Sequence, residues 1–168
     1  MNEYIQCIDF LRTRRSIREY RDEGVPMELV MKILDTARYA PSARNRQPWR
    51  FIVVRKREIL DRLAKLHRGA KPLEKAPLAI VVACDREEAP DSYQVDCANA
   101  AMYIMLAAHA HGLGTVWIQT LRNIEEIQGI LGLLRNHVPI AILAMGYPAE
   151  KPEPKPRKPL DEIVTVIE

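Results

Sequence analysis

The segment from residue 148 to the C-terminus constrains the fold more than any other part of the chain. Its first part alternates proline with Glu and Lys, the prolines being at positions 148, 152, 154, 156 and 159. Proline lacks a backbone N–H and clashes with the preceding helical turn, so residues 148–159 can form neither a helix nor a central strand. The following residues, 160–167, are apolar enough to need burial. We therefore predict an extended C-terminal arm (residues 148–168) whose tip docks on a partner subunit.

A second feature also favours a dimer. Residues 92–111 form the longest predicted helix, which is apolar on nearly every side and is followed by Gly112, a natural helix stop. A helix that is apolar all round is either central or lies at a subunit interface. Together with the C-terminal arm, this helix predicts a homodimer in which the arms are exchanged.

Hydrophobic patterning predicts the other elements. Apolar residues at helical spacing, terminal prolines and capping residues predict helices, and β-branched or continuously apolar runs predict strands. The predicted helices are 3–13, 26–39, 57–67 and one that begins after Asn123, with Glu126 completing a capping box. The predicted strands are 51–54, 76–84, 115–119 and 138–145. At 168 residues, this order predicts one α+β domain over 1–168, of the three-layer α/β type. No GxGxxG motif follows a strand, which argues against a dinucleotide-binding Rossmann fold.

Arginine is concentrated in residues 12–21, the arginine segment. Five of these ten positions are arginine: Arg12, Arg14, Arg15, Arg18 and Arg21. Such a cluster repels itself unless an anion neutralises it. Arg12 and Arg21 are interpreted as solvated, whereas Arg14, Ser16 and Arg18 fall on one side of an extended chain and are candidate ligands of an anion.

A loop rich in amide side chains follows the second predicted helix. Residues 41–49 read Pro-Ser-Ala-Arg-Asn-Arg-Gln-Pro-Trp, and Asn45 and Gln47 each offer a donor and an acceptor to a flat heterocycle. Trp49 is interpreted as a core anchor. An anion site together with an amide-lined loop indicates a nucleotide-like cofactor with a phosphate and a planar ring, and FMN fits that description.

Other sequence features argue against several classes of protein. The net charge of +3 is modest and acids are interspersed, so no nucleic-acid partner is required. Cys7, Cys84 and Cys97 form no CxxC pair, which argues against a disulfide framework or a zinc site. We interpret Cys84 and Cys97 as small core residues and expect a cytoplasmic protein. No signal peptide or membrane span is expected. No metal site is expected either, since His109 and His111 are two apart on a helix and therefore lie on different faces.

Several motifs in this order resemble the nitroreductase family of FMN-dependent oxidoreductases, and the resemblance covers nearly the whole chain. The motifs are Arg14-Arg15-Ser16-Ile17-Arg18, Ala40-Pro41-Ser42 leading to Asn45-Arg46-Gln47-Pro48-Trp49, His109 to Ile118, Gly146-Tyr147-Pro148, and Lys155 to Leu160. The resemblance implies a mixed central sheet flanked by helices and a homodimer with exchanged arms and two FMN sites at its interface.

The resemblance also implies roles for individual residues. Arg14, Arg15, Ser16 and Arg18 would lie along the FMN phosphate, ribityl chain and pyrimidine edge, and Lys155 and Arg157 would close on the phosphate. The flavin ring would contact Pro41, Ser42, Asn45 and Gln47 of the partner subunit. The backbone of Val116, Trp117, Ile118 and Gln119 would lie near flavin N5 and O4.

The implied activity is transfer of a hydride from NAD(P)H, through flavin N5, to an electrophile such as a nitroaromatic or a quinone. The cofactor carries this chemistry, so no catalytic side chain is expected. Alternatives are a specialised flavin reaction, such as dehalogenation or reduction of an activated alkene, and a non-catalytic FMN carrier or sensor. A nucleic-acid binder using the arginine segment ranks last, because the sequence shows no recognition helix.

Overall fold

A computed structural model describes residues 3–168, with side chains from residue 7 onward. It contains five α-helices and four strands within that range. The helices are α1 (Glu3–Thr13), α2 (Met27–Ala37), α3 (Arg57–Ala64), α4 (Tyr93–Ala110) and α5 (Ile124–Leu131). The strands are β1 (Trp49–Val54), β2 (Leu78–Asp85), β3 (Gly114–Gln119) and β4 (His137–Gly146).

The four strands form one sheet in the order β1-β2-β4-β3, and each neighbouring pair is antiparallel. Among the described residues, the one parallel pairing is an isolated bridge between Ser16 and Thr115. The predicted mixed sheet is therefore mixed only through this bridge, by which the arginine segment joins the edge strand β3.

Helices cover both faces of the sheet and make the predicted three-layer α+β architecture. On one face, α2 and α4 pack on a core that includes Ile80 and Leu143. On the other face, α3 and α5 pack on a core that includes Val81 and Ile142. The inner strand β2 has apolar side chains on both faces, and its residues from Leu78 to Cys84 are all fully buried. This arrangement explains the continuous apolar run that predicted it.

The long helix α4 is apolar all round, as predicted, but the chain covers only part of its surface. Its buried side includes Ala100, Ile104 and Ala108, whereas Val95, Met102 and Tyr103 are exposed. Gly112 follows with φ of 74°, a left-handed conformation that glycine adopts without a steric penalty.

The C-terminal arm is extended and exposed, as the prolines predict. A single 3₁₀ turn, Leu160–Glu162, interrupts it near the apolar tip. The tip exposes five aliphatic side chains to solvent: Leu160, Ile163, Val164, Val166 and Ile167.

The prediction of no disulfide framework is wrong for Cys84 and Cys97, two of the three cysteines. Cys84 of β2 and Cys97 of α4 are joined by a disulfide, their Cα atoms being 6.0 Å apart, while Cys7 is free and exposed. Both bonded cysteines are fully buried, as expected of core residues. The pair is separated by 13 positions in the chain, and only the packing of α4 on the sheet brings the two sulfurs together.

Several boundaries differ from those predicted. Pro26 is the residue before α2 rather than its first residue, and its carbonyl accepts from the N–H groups of Leu29 and Val30. Asn123 precedes α5, but its side-chain oxygen accepts from no helix N–H, and its Nδ2 instead donates to the Glu126 carboxylate at 3.1 Å, so no capping box forms. Two further 3₁₀ segments, Ala43–Asn45 and Arg68–Glu74, carried no predicted structure.

Among the described helices, none is both long and apolar enough to span a membrane.

Candidate functional site

The arginine segment lies between the edge strand β3 and the beginning of the C-terminal arm. The N–H of Ile17 donates to the carbonyl of Thr115 at 3.0 Å, and the N–H of Arg21 donates to the carbonyl of Tyr147 at 2.9 Å. The N–H of Ala149 returns a bond to the carbonyl of Glu19 at 2.9 Å. These backbone bonds fix the segment in an extended conformation.

Two side chains also hold the arginine segment in place. The buried Tyr20 hydroxyl lies 2.7 Å from the carbonyl of Ile17 and 3.2 Å from that of Ala144, and burial raises the pKa of Tyr20. Oε1 of Glu150 accepts from the N–H groups of Arg18 (2.5 Å) and Glu19 (3.2 Å). The backbone that carries the arginines is therefore rigidly placed before any ligand binds.

The contact between the arginine segment and β3 depends on Gly114. A Cβ atom at this position would lie 2.6 Å from Cβ of Ile17, closer than any real carbon contact. We expect Gly114→Ala to reduce the free energy of unfolding by about 1–3 kcal/mol, as overpacking does. The matched control is Gly129→Ala in α5, where an added Cβ meets nothing within 4 Å. Urea unfolding of both variants measures the difference, and equal stabilities would contradict this contact.

Arg14 points one nitrogen into the protein without a partner. Its Nη1 atom is buried and makes no hydrogen bond within the described residues. Arg14 lines a cavity of about 290 Å³ together with Arg15, His109 and Thr115. Arg15 is partly committed elsewhere, since its Nη1 donates to the carbonyl of Arg12 at 2.7 Å, at the end of α1. A buried donor without a partner costs about 1–3 kcal/mol, more if charged, so the cavity favours an anionic ligand.

The charges around Arg14 also favour an anionic ligand. Burial is the main cause that lowers its pKa, and the charges of Arg15 and Arg157 lower it further. Arg157 of the C-terminal arm therefore lies close enough to repel Arg14. Lys155 is exposed on the same stretch of the arm, and its carbonyl accepts from Nη1 of Arg157 at 3.5 Å. An anion among these cations would relieve their mutual repulsion.

Arg18 lines a different, neighbouring cavity of about 420 Å³. Four cations line it, Arg18, Arg68, Lys71 and Lys75, together with Glu19 and Glu74. Lys75 is paired with Glu19, with Nζ 2.6 Å from Oε2, which leaves three cations facing one remaining carboxylate. Sequence reasoning missed Arg68 and Lys71. Their spacing of three residues after a predicted helix was the available signal, but only the fold places them beside Arg18.

A hydrogen bond joins the end of β3 to His67, the residue just before the 3₁₀ segment Arg68–Glu74 that carries Arg68 and Lys71. Nε2 of His67 lies 2.9 Å from the carbonyl of Gln119, and Nδ1 of His67 accepts from the N–H of Gly69. Val116 and Ile118 are buried in the core on the α3–α5 side, and Trp117 packs on the α2–α4 side. Gln119 is exposed. Of these side chains, a ligand could reach only the part-buried Trp117 ring and the exposed Gln119 amide, whose Oε1 already accepts from the N–H of Thr120 at 2.8 Å.

The loop of residues 41–47, the amide loop, is strained and held in shape. Arg44, Asn45 and Gln47 all have positive φ, between 52° and 55°, which costs energy for residues other than glycine. Buried Asp96 of α4 stabilises the loop by accepting from the N–H of Ala43 at 3.0 Å.

Further hydrogen bonds hold the amide loop, and one of them comes from a loop amide: Nε2 of Gln47 donates to the carbonyl of Asn45 at 3.2 Å. Oγ of Ser42 accepts from the N–H of Gln47 at 3.0 Å, and Asn99 donates to the carbonyl of Pro41 at 3.3 Å. The Asn45 and Gln47 side chains are exposed. Trp49, just beyond, is buried and stacks on Phe51, which confirms it as a core anchor.

A single chain brings together only part of the predicted site. Arg14 and Arg15 share one cavity, Arg157 lies near Arg14, and Arg18 lines the next cavity. Among the residues that the structure describes, those of the amide loop line neither cavity. In the same part of the chain, no group of three or more His, Cys, Asp or Glu side chains is arranged to hold a metal ion.

Known proteins resemble this chain over most of its length. A model of the nitroreductase family matches residues 11–94 and 65–147. A proposed NADH dehydrogenase/NAD(P)H nitroreductase of Methanothermobacter thermautotrophicus is 43% identical over 153 residues, covering 88% of this chain and 80% of that protein.

Solved structures agree in fold. A proposed NADH dehydrogenase/NAD(P)H nitroreductase of Parabacteroides distasonis superposes with a TM-score of 0.90 at 32% identity, covering 95% of this chain and 97% of that one. A proposed nitroreductase of Desulfovibrio desulfuricans, solved in complex with FMN, superposes with a TM-score of 0.89 at 33% identity. That match covers 100% of this chain and 98% of the other.

Proposed function

The chain belongs to the nitroreductase family of FMN-dependent NAD(P)H oxidoreductases, and we propose that it reduces an electrophilic acceptor such as a nitroaromatic or a quinone. We propose further that residues 1–168 form one FMN-binding domain, that two copies form the active unit, and that the protein is cytoplasmic. When bound, FMN supplies the redox chemistry, hydride transfer between NAD(P)H and the acceptor, while the protein supplies binding, orientation and electrostatics.

The observation that carries this proposal is the unpartnered Nη1 of Arg14. A guanidinium holds a phosphate through planar, paired N–H donors, and a buried one does so with little competition from water. Arg15 and Arg157 add positive charge at the same place, and Lys155 lies two residues from Arg157. The residues present fit the phosphate end of FMN.

We assign the ribityl chain and the ring of the cofactor to other residues of the site. Ser16 lies half-buried between Arg14 and Arg18, a position suited to the ribityl chain. Arg18 faces the larger cavity with Arg68 and Lys71, where it would meet the pyrimidine edge of the ring. The backbone of residues 116–119 would border the flavin N5 and O4. His67 fixes the end of that backbone by its bond to the Gln119 carbonyl.

A second subunit completes the site in this proposal. Pro41, Ser42, Asn45 and Gln47 of the partner subunit would contact the flavin ring, since these residues line neither cavity of their own chain. The exposed Val95, Met102 and Tyr103 of α4 would be buried at the same interface, together with the apolar tip of the arm.

The purified protein tests this function directly. We expect a yellow protein with the absorption bands of a flavin at one FMN per chain. Anaerobic addition of NADH or NADPH should bleach these bands, and addition of a quinone or a nitroaromatic should restore them. A colourless protein that takes up no FMN would contradict the flavoenzyme proposal. Bound FMN that no pyridine nucleotide reduces would instead support a carrier or sensor.

Arg18 is expected to tune the reduction potential. A cation beside the pyrimidine edge favours the reduced, more negative form of the ring, so Arg18→Gln should lower the FMN midpoint potential and slow reduction by NAD(P)H. Arg21→Gln is the matched control, because Arg21 lies on the same segment but donates to the Pro148 carbonyl and does not line this cavity. Spectroelectrochemical titration measures both variants, and equal potentials would refute this placement of Arg18.

A further inference from the structure

One histidine lines the 290 Å³ cavity that Arg14 and Arg15 border, from here on the phosphate cavity, and has no role in the site described so far. His109 lies in the last turn of α4 and borders the 290 Å³ cavity with Arg14 and Arg15. Its ring stacks on Phe10 of α1, with 4.9 Å between the ring centroids. Its Nε2 lies 2.8 Å from Oγ1 of Thr13. The ring is therefore held in one orientation from the α1 side.

The hydrogen bonds around Thr13 decide which ring nitrogen carries the proton. The Thr13 hydroxyl donates its single proton to the carbonyl of Phe10 at 2.7 Å. Toward His109 it can then act only as an acceptor, so Nε2 is the protonated nitrogen. Nδ1 makes no hydrogen bond to the part of the chain that the structure describes, and its lone pair can accept a second proton.

The surroundings keep His109 neutral before a ligand arrives. Burial is the main cause that lowers the pKa of His109, and the charges of Arg14 and Arg15 lower it further. The charged groups that share the cavity with it are Arg14 and Arg15 of the arginine segment and Glu150 and Lys151 of the C-terminal arm. Glu150 already accepts two backbone N–H bonds through Oε1. From α1, Phe10 stacks on the ring and Thr13 lies within hydrogen-bond distance of Nε2, and His111 at the end of α4 is exposed.

We propose that His109 is a further anion-binding residue of this cavity, which takes up a proton from solvent at Nδ1 when the phosphate of FMN binds. A phosphate dianion offsets the repulsion from Arg14 and Arg15, which reverses the balance that keeps the imidazole neutral. The position in the last turn of a helix also favours a cation, since the carbonyl end of the helix is negative. This inference rests on the proposed function, because it requires FMN to bind here.

Calorimetric titration of the apoprotein with FMN tests the inference. Titrations at pH 6.5 in two buffers of different ionisation enthalpy give the number of protons taken up on binding. The comparison is between the natural chain and His109→Gln, whose amide can still donate to Thr13 but cannot gain a proton. His111→Gln is the matched control, being two residues away and outside the cavity. Riboflavin, which lacks the phosphate, replaces FMN in a parallel series.

We expect the natural chain and His111→Gln to take up roughly half a proton more than His109→Gln on binding FMN, as a histidine shifted upward across pH 6.5 would. With riboflavin the three proteins should show equal uptake. If all three proteins take up equal numbers of protons on binding FMN, the proposed role of His109 is overturned, while the proposal that the chain binds FMN stands. A chain that binds no FMN overturns both proposals.

An NMR titration keeps the inference testable if His109→Gln fails to fold. The chain contains four histidines, so His109 can be assigned by elimination with single substitutions of His67, His111 and His137. The pKa of His109 should lie below 6.5 in the apoprotein and rise above it with FMN bound. A His109 resonance whose titration midpoint does not move on binding FMN contradicts the proposal.

Discussion

A chain truncated after Lys151 is expected to be monomeric and to purify without FMN. The truncation removes the five exposed aliphatic side chains of the arm tip, whose burial is worth about 1.5–3 kcal/mol each. Losing only about 4 kcal/mol of this burial energy would weaken dimerisation about a thousandfold, since the cost of association is the same for the natural and the truncated chain. The truncation also removes Arg157, which lies near Arg14, and Lys155, the two arm residues proposed to close on the FMN phosphate.

The cut is placed after Lys151 because the preceding residues belong to the body of the protein. The N–H of Ala149 and the carboxylate of Glu150 hold the arginine segment, so a shorter chain would disturb it for another reason. Light scattering measures the oligomeric state, and the ratio of flavin to protein absorbance measures FMN retention.

A full-length double variant separates the two functions of the arm. Lys155→Ala with Arg157→Ala should remain dimeric, because the apolar tip is intact, but should lose FMN. A truncated chain that stays dimeric would refute the exchanged-arm model. A truncated chain that stays yellow would refute the contribution of Lys155 and Arg157 to phosphate binding.

Replacing Arg14 with Ala is expected to weaken FMN binding by about 1.5–3 kcal/mol, roughly 10- to 100-fold, the value of a hydrogen bond to a charged group. Riboflavin affinity should change far less, because riboflavin has no phosphate for Arg14 to bind. Fluorescence titration of the apoprotein with each flavin measures both effects. Arg12→Ala is the matched control. The Arg12 side chain is exposed, lines neither cavity and forms a surface ion pair with Asp9, with Nη1 3.9 Å from Oδ1.

The same substitution has a second expected result in the absence of flavin. Nη1 of Arg14 is buried without a partner, so removing it relieves a desolvation cost rather than breaking a bond. The apoprotein Tm of Arg14→Ala should therefore equal or exceed that of the natural chain. A marked loss of apoprotein stability, or equal losses of FMN and riboflavin affinity, would show that Arg14 is structural.

The secondary structure followed closely from local patterns. The helices and strands lie within a few residues of their predicted positions, because periodic burial, prolines and glycines act through near neighbours in the chain. The 3₁₀ segment Arg68–Glu74 escaped prediction because it contains no apolar period of its own and is held by the fold. The amide loop was recognised as a loop, but nothing in the sequence indicates positive φ at Arg44 and Gln47. Asn45 is of a residue type that adopts positive φ readily.

The sequence predicted which residues belong to the candidate site but not how they are arranged in space. Arg14, Ser16 and Arg18 stand out in the sequence because they alternate within a dense basic cluster. The structure assigns Arg14 and Arg18 to two different cavities and gives Arg15 a bond to the end of α1. Their roles toward FMN stay predictions, as does the contribution of the partner subunit.

The sequence by itself determined the elements, the extended arm, the apolar helix and the family, because each depends on the identity and spacing of residues along the chain. Tertiary structure alone decided the strand order β1-β2-β4-β3, the Cys84–Cys97 disulfide and the burial of Arg14 Nη1. It also brought Arg68 beside Arg18 and His109 beside Arg14. Each of these depends on the approach of distant segments through space and on the exclusion of water between them, which local spacing does not encode.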